Sequence, residues 1–346
     1  MGNGKEKIFS KISNMLDGKR ILVTGGTGSF GHQIVKELLN FSPTKVIIFS
    51  NDEDQQYHMK NDYKDNKILD FKFGDVRDYK RIRELSRNVD IIYHAAALKH
   101  VPACEFHPWE AIQTNVFGAK NVRDAAIENN VERVITISTD KAVKPINAMG
   151  MTKALQEKIM LSINNEELNT KFICVRYGNI LGSRGSIIPF FREKIDRNEP
   201  LPLTDLKMTR FLIKLTEAIE LIFHATVEGK GNELYARKMS ACRIIDLAQV
   251  MGEEIYGNSN YPIIEIGIRP GEKIHEVLVS EAEMRRAVES DQYFIIYPYG
   301  KIDKPRLTSN FDEYRSDNAE MLDKTNIAKL LRSEGWFNKD ISRPII

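Results

Sequence analysis

Two short segments near the middle of the chain carry side chains that could move protons. Residues 138–141 read Ser-Thr-Asp-Lys, so a carboxyl group, Asp140, and an amine, Lys141, are neighbours. A second amine, Lys153, follows Met149 by about one helical turn. An acid beside a base suits a reaction in which one atom of the substrate loses a proton while another gains one. Residues 138–153 are therefore the candidate reaction centre.

A glycine-rich segment near the start of the chain has the form of a dinucleotide site. The apolar run at residues 20–24 leads into Gly25, Gly28 and Gly31, where a helix is expected to begin. Glycines permit a tight turn, and the helix N-terminus favours the charge of a pyrophosphate. The predicted cofactor contacts in this segment are Gly25, Thr27, Gly28, Ser29, Phe30 and Gly31.

The end of the second predicted strand bears on the choice between NAD and NADP. An acidic residue there would bind the ribose hydroxyls and repel a 2′-phosphate. The sequence reads Ser50-Asn51-Asp52, in which the first two residues can donate hydrogen bonds but carry no charge. We favour NADP, with NAD as the alternative if Asp52 serves the ribose. Asp75 and Val76 are expected beside the adenine, and Ala95 and Ala96 beside the nicotinamide.

The composition excludes several classes of function. Lys plus Arg (50) nearly balance Asp plus Glu (48) over 346 residues, so no global field favours nucleic acid or a membrane surface. The three cysteines are widely spaced, which predicts reduced thiols and no metal site. No run of 18 apolar residues occurs and the first 18 residues are not signal-like, so we expect a cytoplasmic protein.

Alternating short apolar runs and longer amphipathic stretches predict an α/β fold. The fold expected is a Rossmann-type doubly wound parallel sheet with a smaller C-terminal substrate-binding lobe. Six buried strands are predicted, at residues 20–24, 45–50, 69–74, 91–94, 133–138 and 171–176. The predicted divisions are an N-terminal arm (1–18), a nucleotide domain (19–178, with 215–238 returning to it) and the smaller lobe (179–214 and 239–346).

Several motifs together resemble those of one enzyme family. They are residues 94–102, 114–118, 138–141, 176–179, 182–186, 208–211 and 269–273. With the glycine segment, they resemble the extended short-chain dehydrogenases/reductases and, within these, the UDP-N-acetylglucosamine 4,6-dehydratases. The resemblance runs from about residue 18 to about residue 335. Met149 stands where most of the family has a catalytic tyrosine, as it does in the C5-inverting enzymes of capsule synthesis.

The resemblance implies a reaction in which C4 of the sugar is oxidised, C5 loses a proton and C6 loses its hydroxyl. Asp140 is then the expected acid, and Lys141 the expected base, provided that burial and neighbouring cations lower its pKa. Thr139 would hydrogen-bond the C4 oxygen, and Lys153 would hold the nicotinamide ribose. Retaining relatives commonly carry Asp-Glu at this point, so Lys141 would account for inversion at C5.

Other roles remain open. Met149 is explained as an apolar filler, and the base for the C4 hydroxyl is then Lys141, Asp140 or a water held by Thr139. Asn115 is expected to order the site through backbone hydrogen bonds. The remaining cofactor candidates are Lys99, Ser138, Tyr177 and Asn179, and the substrate candidates are Lys99, His100, Asn179, Ser186, Arg210, Arg269 and Glu272.

Two other functions compete with the dehydratase. A nucleotide-sugar 4-epimerase needs the oxidation but no acid for C6, and the missing tyrosine counts against it. A non-catalytic cofactor-sensing or scaffold protein is favoured only by that missing tyrosine. The partners that the resemblance implies are UDP-N-acetylglucosamine and further copies of the chain, with a hexamer expected.

Overall fold

The computed structural model describes residues 2–64, 66–162, 169–183, 185–257, 260–298 and 312–338, and of residues 2–7 the backbone alone. Arg184 of the 182–186 motif, residue 1 of the predicted arm and residues 339–346 of the predicted lobe lie outside the described residues. The strands are β1 Arg20–Thr24, β2 Lys45–Ser50, β3 Leu69–Phe73, β4 Ile91–His94, β5 Arg133–Thr139, β6 Lys171–Tyr177, β7 Asn179–Ile180, β8 Leu201–Leu203, β9 Thr209–Ile213, β10 Leu234–Arg237, β11 Ala241–Arg243, β12 Ile263–Glu265, β13 Val277–Val279, β14 Ala287–Glu289, β15 Tyr293–Ile296 and β16 Tyr314–Arg315. The α-helices are α1 Gly2–Leu16, α2 Ser29–Leu38, α3 Glu53–Asp62, α4 Tyr79–Leu85, α5 Val101–Phe106, α6 Pro108–Ala111, α7 Gly118–Glu128, α8 Ala148–Leu161, α9 Ile187–Asp196, α10 Leu215–Glu228, α11 Ile244–Met251, α12 Glu281–Met284 and α13 Lys324–Ser333.

The large sheet has nine strands in the order β14-β15-β10-β6-β5-β4-β1-β2-β3. The seven neighbouring strands β10-β6-β5-β4-β1-β2-β3 pair in parallel. Strands β15 and β14 add antiparallel pairs at the β10 edge. The order β3-β2-β1-β4-β5-β6 is that of a doubly wound dinucleotide-binding sheet. The predicted fold class is therefore confirmed, and β1 to β6 agree with the six predicted strands to within one residue.

Helices cover both faces of this sheet. Helix α7 contacts both α4 and α8, helix α10 contacts both α1 and α2, and both α8 and α10 contact β5 and β6. Helix α1 docks onto α10, and its Ile12 and Leu16 are buried in the main core. The predicted N-terminal arm is thus a helix held by the nucleotide domain.

The smaller lobe has an apolar core of its own. Side chains from α9, α11 and α13 pack there with β8, β12 and the buried Trp336. Helix α10 and β10 lie against the large sheet, at the place where the sequence predicts a return to it. Strands β14 and β15 were expected in the smaller lobe but extend the large sheet instead. Buried Tyr293 and Phe294 let β15 cover the edge of β10, which would otherwise be unpaired.

Two further observations concern the described residues only. None of their helices combines the length and the apolar character that crossing a bilayer requires. Nor do they contain a group of three or more His, Cys, Asp or Glu side chains placed to hold a metal ion.

Candidate active site

A cavity of about 620 Å³ lies along the carboxyl ends of the parallel strands. This edge of an open α/β sheet is where ligands bind, and the volume suits a small-molecule site. All predicted cofactor contacts line its wall, namely Gly25, Thr27, Gly28, Ser29, Phe30, Gly31, Ser50, Asn51, Asp75, Val76, Ala95, Ala96, Lys99, Ser138, Lys153, Tyr177 and Asn179. The structure therefore brings together residues from the carboxyl ends of β1 to β6, from β7 and from α8.

The turn between β1 and α2 has no room for side chains at two of its glycines. Gly25 has φ +65°, and a β-carbon there would lie 2.7 Å from the backbone nitrogen of Ala96. A β-carbon at Gly31 would lie 2.2 Å from the carbonyl oxygen of Gly25. Helix α2 begins after Gly28 without a side-chain cap, so its first amides can face an anion in the cavity.

The polar side chains at the end of β2 form hydrogen bonds with other groups of the protein. The Ser50 hydroxyl accepts from the Thr27 hydroxyl at 2.7 Å and from the backbone N–H of Asp52 at 3.1 Å. The Asp52 carboxylate caps its own helix, α3, by accepting from the N–H of Gln55 at 3.0 Å. One oxygen of that carboxylate is therefore engaged at the helix terminus, while Asp52 itself also lines the cavity.

Arg77 is a cation of this wall that the sequence analysis missed. Its guanidinium donates to Asp75 at 2.8 Å and to Glu110 at 2.8 Å, and Asn51 donates to the same Asp75 carboxylate at 3.1 Å. Although burial raises the pKa of Asp75, these hydrogen bonds lower it below its ordinary value. Arg77 directly follows the predicted pair Asp75-Val76, so its position in the sequence could have revealed it.

The carboxyl end of β5 places the predicted acid beside the predicted base. The chain passes from Thr139 into a 3₁₀ turn at Asp140–Ala142, where the Thr139 hydroxyl donates to Asp140 Oδ1 at 2.9 Å. Lys141 Nζ lies 3.1 Å from the same oxygen. Thr139 and Lys141 line the cavity, whereas Asp140 is fully buried behind it. A methyl group at Gly178 on the wall would lie 3.3 Å from Asp140 Oδ2, so the carboxyl is close to the cavity.

Glu276 brings a second carboxylate to this pair. Its Oε1 lies 3.2 Å from Lys141 Nζ, and its side chain is buried. Burial lowers the pKa of Lys141, but the charges of Asp140 and Glu276 raise it more, so the pKa lies above its ordinary value. The condition set for Lys141 as the base, a lowered pKa, is therefore not met, because Asp140 and Glu276 outweigh burial and the nearby Arg210. Burial and Glu276 together raise the pKa of Asp140 despite Lys141, as an acid requires.

Met149 and Lys153 occupy the first turns of α8. Asn147 caps this helix by accepting from the N–H of Gly150 at 2.7 Å, and Met149 packs with Cys104 and Ala111 while lining the cavity. Lys153 Nζ donates to the carbonyl oxygen of Ile137 at 2.7 Å and to Gln156. Burial lowers the pKa of Lys153 to about 8. The Met149 thioether cannot transfer a proton. The lowered pKa of Lys153 makes its ammonium group easier to deprotonate near neutral pH.

Buried polar groups hold this wall in place. Ser138 donates to Glu157 at 2.5 Å, and Glu157 pairs with the buried Arg176 at 2.6 Å. Arg176 also pairs with Glu283 at 3.0 Å, which connects α8 to the segment that carries α12. Asn115 exchanges two hydrogen bonds with the backbone of Leu98, as expected of a residue that orders the site.

The predicted substrate residues divide into two groups. Lys99, His100 and Asn179 line the cavity, and Asn179 Oδ1 has no hydrogen-bond partner among the described residues. Burial and Lys99 lower the pKa of His100, so its ring favours the neutral form. The second group does not reach the wall and consists of Ser186, Arg210, Arg269 and Glu272.

Arg210 illustrates why the second group is displaced. Its guanidinium donates to the carbonyl oxygens of Thr209 at 2.7 Å, Ile274 at 3.0 Å and Lys273 at 2.8 Å. A role as diphosphate ligand is therefore not supported, because three backbone groups already take its donors. Arg269 lies 3.9 Å from Glu272, and Glu272 accepts from the Thr204 hydroxyl at 2.7 Å. Ser186 Oγ is buried at the start of α9, while the nearby Ser183 lines the cavity.

Comparisons with known proteins agree with this arrangement. A family model described as "Polysaccharide biosynthesis protein" matches residues 21–298. The chain is 42% identical over 292 residues to the UDP-N-acetylglucosamine 4,6-dehydratase (inverting) of Campylobacter jejuni, covering 83% of this chain and 85% of that protein. It is 40% identical over 337 residues to the UDP-glucose 4-epimerase of Rickettsia felis, covering 93% and 98%. The X-ray structure of Pen from Bacillus thuringiensis matches with a TM-score of 0.88 and 36% identity, covering 93% of this chain and 99% of that one.

Proposed function

The chain belongs to the polysaccharide biosynthesis protein family, and from that membership we propose that it is a UDP-N-acetylglucosamine 4,6-dehydratase that inverts C5. The product would be UDP-2-acetamido-2,6-dideoxy-β-L-arabino-hexos-4-ulose, a precursor of deoxy amino sugars in glycans. The observation that carries this proposal is the buried Asp140 beside Lys141, next to a cavity with a dinucleotide-binding turn. The named Campylobacter relative supports the substrate.

The residues of the first βα turn fit a dinucleotide cofactor. Gly25 and Gly31 leave a cradle that a β-carbon would fill, and the N-terminus of α2 meets the cavity without a side-chain cap. We propose NADP rather than NAD, because Asp52 is engaged in capping α3 and Arg77 adds a cation to this wall. The cofactor would accept a hydride from C4 of the sugar and return it at C6. Lys153 would hold the nicotinamide ribose.

The protein's own groups would carry the proton transfers. Asp140, whose pKa burial raises above its ordinary value, would donate a proton to the departing C6 hydroxyl. Lys141 lies beside it on the cavity wall and would take the proton from C5, which the C4 ketone makes acidic. The Lys141 ammonium ion must first lose a proton of its own, because its pKa is raised. Thr139 would hydrogen-bond the C4 oxygen, and the base for the C4 hydroxyl remains among Lys141, Asp140 and a water on Thr139.

Inversion at C5 follows from the same chemistry. After the hydride has returned to C6, the C4 ketone keeps C5 acidic, so a proton can leave one face and another can arrive on the opposite face. Lys141, in place of the glutamate common in retaining relatives, is an amine that can exchange protons with C5. In deuterium oxide the product should therefore carry deuterium at C5 in the L-arabino configuration.

A 4-epimerase is the second candidate, favoured by the likeness to the Rickettsia felis protein. That reaction needs no acid at C6, whereas Asp140 is buried in an environment that raises its pKa, as an acid requires. Incubation with UDP-N-acetylglucosamine, followed by mass spectrometry, separates the candidates. A dehydratase gives a product lighter by one water, and unchanged mass with altered configuration at C4 would establish the epimerase instead. An unaltered substrate would indicate a scaffold protein and refute the proposal.

We further propose that the protein forms a homo-oligomer, with a hexamer favoured. Helices α5, α6 and α8 expose the large apolar side chains of Phe106, Trp109, Met151 and Leu155. Apolar side chains at such exposure mark an interaction surface when they are contiguous. Light scattering after size exclusion would report the number of chains, and a monomer would refute this proposal.

A further inference from the structure

Glu276 approaches the reaction centre from the smaller lobe. It immediately precedes β13, which contacts the 3₁₀ turn that carries Asp140 and Lys141. Its backbone N–H donates to Ser316 Oγ at 2.9 Å, which fixes the start of the strand. Lys141 Nζ thus lies between two carboxyl groups, 3.1 Å from Asp140 Oδ1 and 3.2 Å from Glu276 Oε1. Both distances allow a hydrogen bond.

The other charged groups around Glu276 are cations. Arg210 Nε, from β9, lies 3.9 Å from Glu276 Oε1, and Lys273 Nζ, from the preceding loop, lies 3.8 Å from Oε2. Lys273 is itself held by the carbonyl oxygen of Val143 at 2.6 Å. Burial raises the pKa of Glu276, but Lys141, Arg210 and Lys273 lower it further, so its carboxylate is charged. Lys141 therefore faces two carboxyl groups whose pKa values are shifted in opposite directions, upward for Asp140 and downward for Glu276.

We propose that Glu276 is a positioning residue that holds Lys141 Nζ beside Asp140 and, as a second carboxylate, favours the protonated form of Asp140. This proposal rests on the proposed dehydratase function. It assigns Arg210 and Lys273 to the support of Glu276.

Each proton that leaves one group arrives at another. Lys141 first reaches the amine form by giving a proton to solvent in the cavity, while the Glu276 carboxylate keeps its Nζ beside Asp140. The C5–H bond breaks, its proton goes to the amine, and its electron pair forms the C5–C6 double bond. The C6–O bond breaks with its electron pair on oxygen, which takes the proton of Asp140 and leaves as water. The Lys141 ammonium ion then gives its proton to the Asp140 carboxylate, so the amine and the protonated acid are both restored and Glu276 is unchanged.

The substitution Glu276→Gln tests this role without changing the size of the side chain. The amide carries no charge, so the contribution of Glu276 that raises the pKa of Asp140 is lost and Asp140 should ionise beside Lys141. We expect kcat for water loss to fall by roughly 10²-fold or more, the scale of an acid–base contribution. KM for UDP-N-acetylglucosamine should stay within about threefold, because Glu276 does not line the cavity. Glu276→Asp retains a carboxylate and should recover at least about tenfold of the lost kcat.

A matched control is Glu233→Gln. Glu233 is also a buried carboxylate, but it accepts from the backbone N–H groups of Lys230 and Gly231 and does not contact the site. This variant should keep the wild-type kcat. A Glu276→Gln enzyme with kcat within about threefold of wild type would overturn the proposal, as would a Glu276→Asp enzyme no faster than the glutamine variant.

A spectroscopic measurement separates this proposal from the function itself. The infrared carbonyl band of a protonated carboxyl group should appear at pH 7 in the difference between the wild type and Asp140→Asn, and it should be absent when Glu276→Gln replaces the wild type. The measurement needs no substrate, so it still tests Glu276 if the wild type does not dehydrate UDP-N-acetylglucosamine. Absence of the band in the wild type would overturn the proposal. This part of the measurement does not depend on whether a variant at position 276 folds.

Discussion

Alanine at Gly18, which precedes β1, and at Gly25 and Gly31, which follow it, should separate two different energetic costs. Gly18 has φ +69° with nothing within 4 Å of the position that a β-carbon would take, so only backbone strain opposes a side chain. Gly31 has no positive φ, but its β-carbon would lie 2.2 Å from the Gly25 carbonyl oxygen and 2.6 Å from the α-carbon of Gly26. Gly25 combines φ +65° with a contact of 2.7 Å to the backbone nitrogen of Ala96.

These distances set the expected losses in the free energy of unfolding. Left-handed backbone costs an L-residue about 1–2 kcal/mol, which is the whole expected cost of Gly18→Ala. Overpacking costs about 1–3 kcal/mol or more, and Gly31→Ala should lie at the upper end because the obstructing atoms are backbone. Gly25→Ala combines both costs and should lose about 2–5 kcal/mol.

Denaturant unfolding followed by circular dichroism would measure these differences, and titration with NADP would measure the cofactor site in the same variants. Gly18→Ala should bind NADP as the wild type does, whereas Gly25→Ala and Gly31→Ala should bind it weakly. Stabilities of Gly25→Ala and Gly31→Ala within about 0.5 kcal/mol of wild type, the range of an ordinary surface substitution, would refute the geometry of the turn.

The remaining predictions concern the acid–base pair, the cofactor and one buried ion pair. Asp140→Asn and Lys141→Ala should each reduce water loss by roughly 10²–10⁴-fold while NADP binding persists, and near-wild-type turnover would remove that residue from the mechanism. Titration should show tighter binding of NADP than of NAD, and the reverse order would assign the ribose hydroxyls to Asp52. Arg176 and other donors lower the pKa of Glu283 to about 2 although burial raises it, so its contribution to stability is present above its unfolded pKa and is lost as the pH falls through about 2. Glu283→Gln should therefore reduce the free energy of unfolding by roughly 3 kcal/mol near pH 7 and by less as the pH falls from about 4.5 towards 2, and a pH-independent difference would contradict this.

The sequence predicted the nucleotide-binding half of the fold because its signals are local. Each of the first six strands is a short apolar run, and the glycines of the first turn are close together in the chain. The recognition of an extended short-chain dehydrogenase/reductase of the dehydratase type from these motifs is confirmed. The edge strands β14 and β15 were expected in the smaller lobe but belong to the large sheet. Their place depends on the pairing of β15 with β10, which no local sequence pattern encodes.

The charge state of the reaction centre depended on residues distant in sequence. Lys141 was expected to be a ready base, but Glu276 from another part of the chain raises its pKa. Arg210 was expected to bind a diphosphate, yet its donors meet backbone carbonyls of the loop that leads to Glu276. The residue type of an Arg or Lys does not tell whether its side chain faces a ligand or a buried carboxylate. That depends on how the two lobes pack together.

Transfer of a label within the sugar tests the proposed function most directly. UDP-N-acetylglucosamine carrying deuterium at C4 would be incubated with the protein and NADP, and the product examined by mass spectrometry and NMR. A 4,6-dehydratase should release one water and place the deuterium in the new C6 methyl group, because the hydride taken from C4 returns at C6. Deuterium that remains at C4 with no loss of water would contradict the assignment.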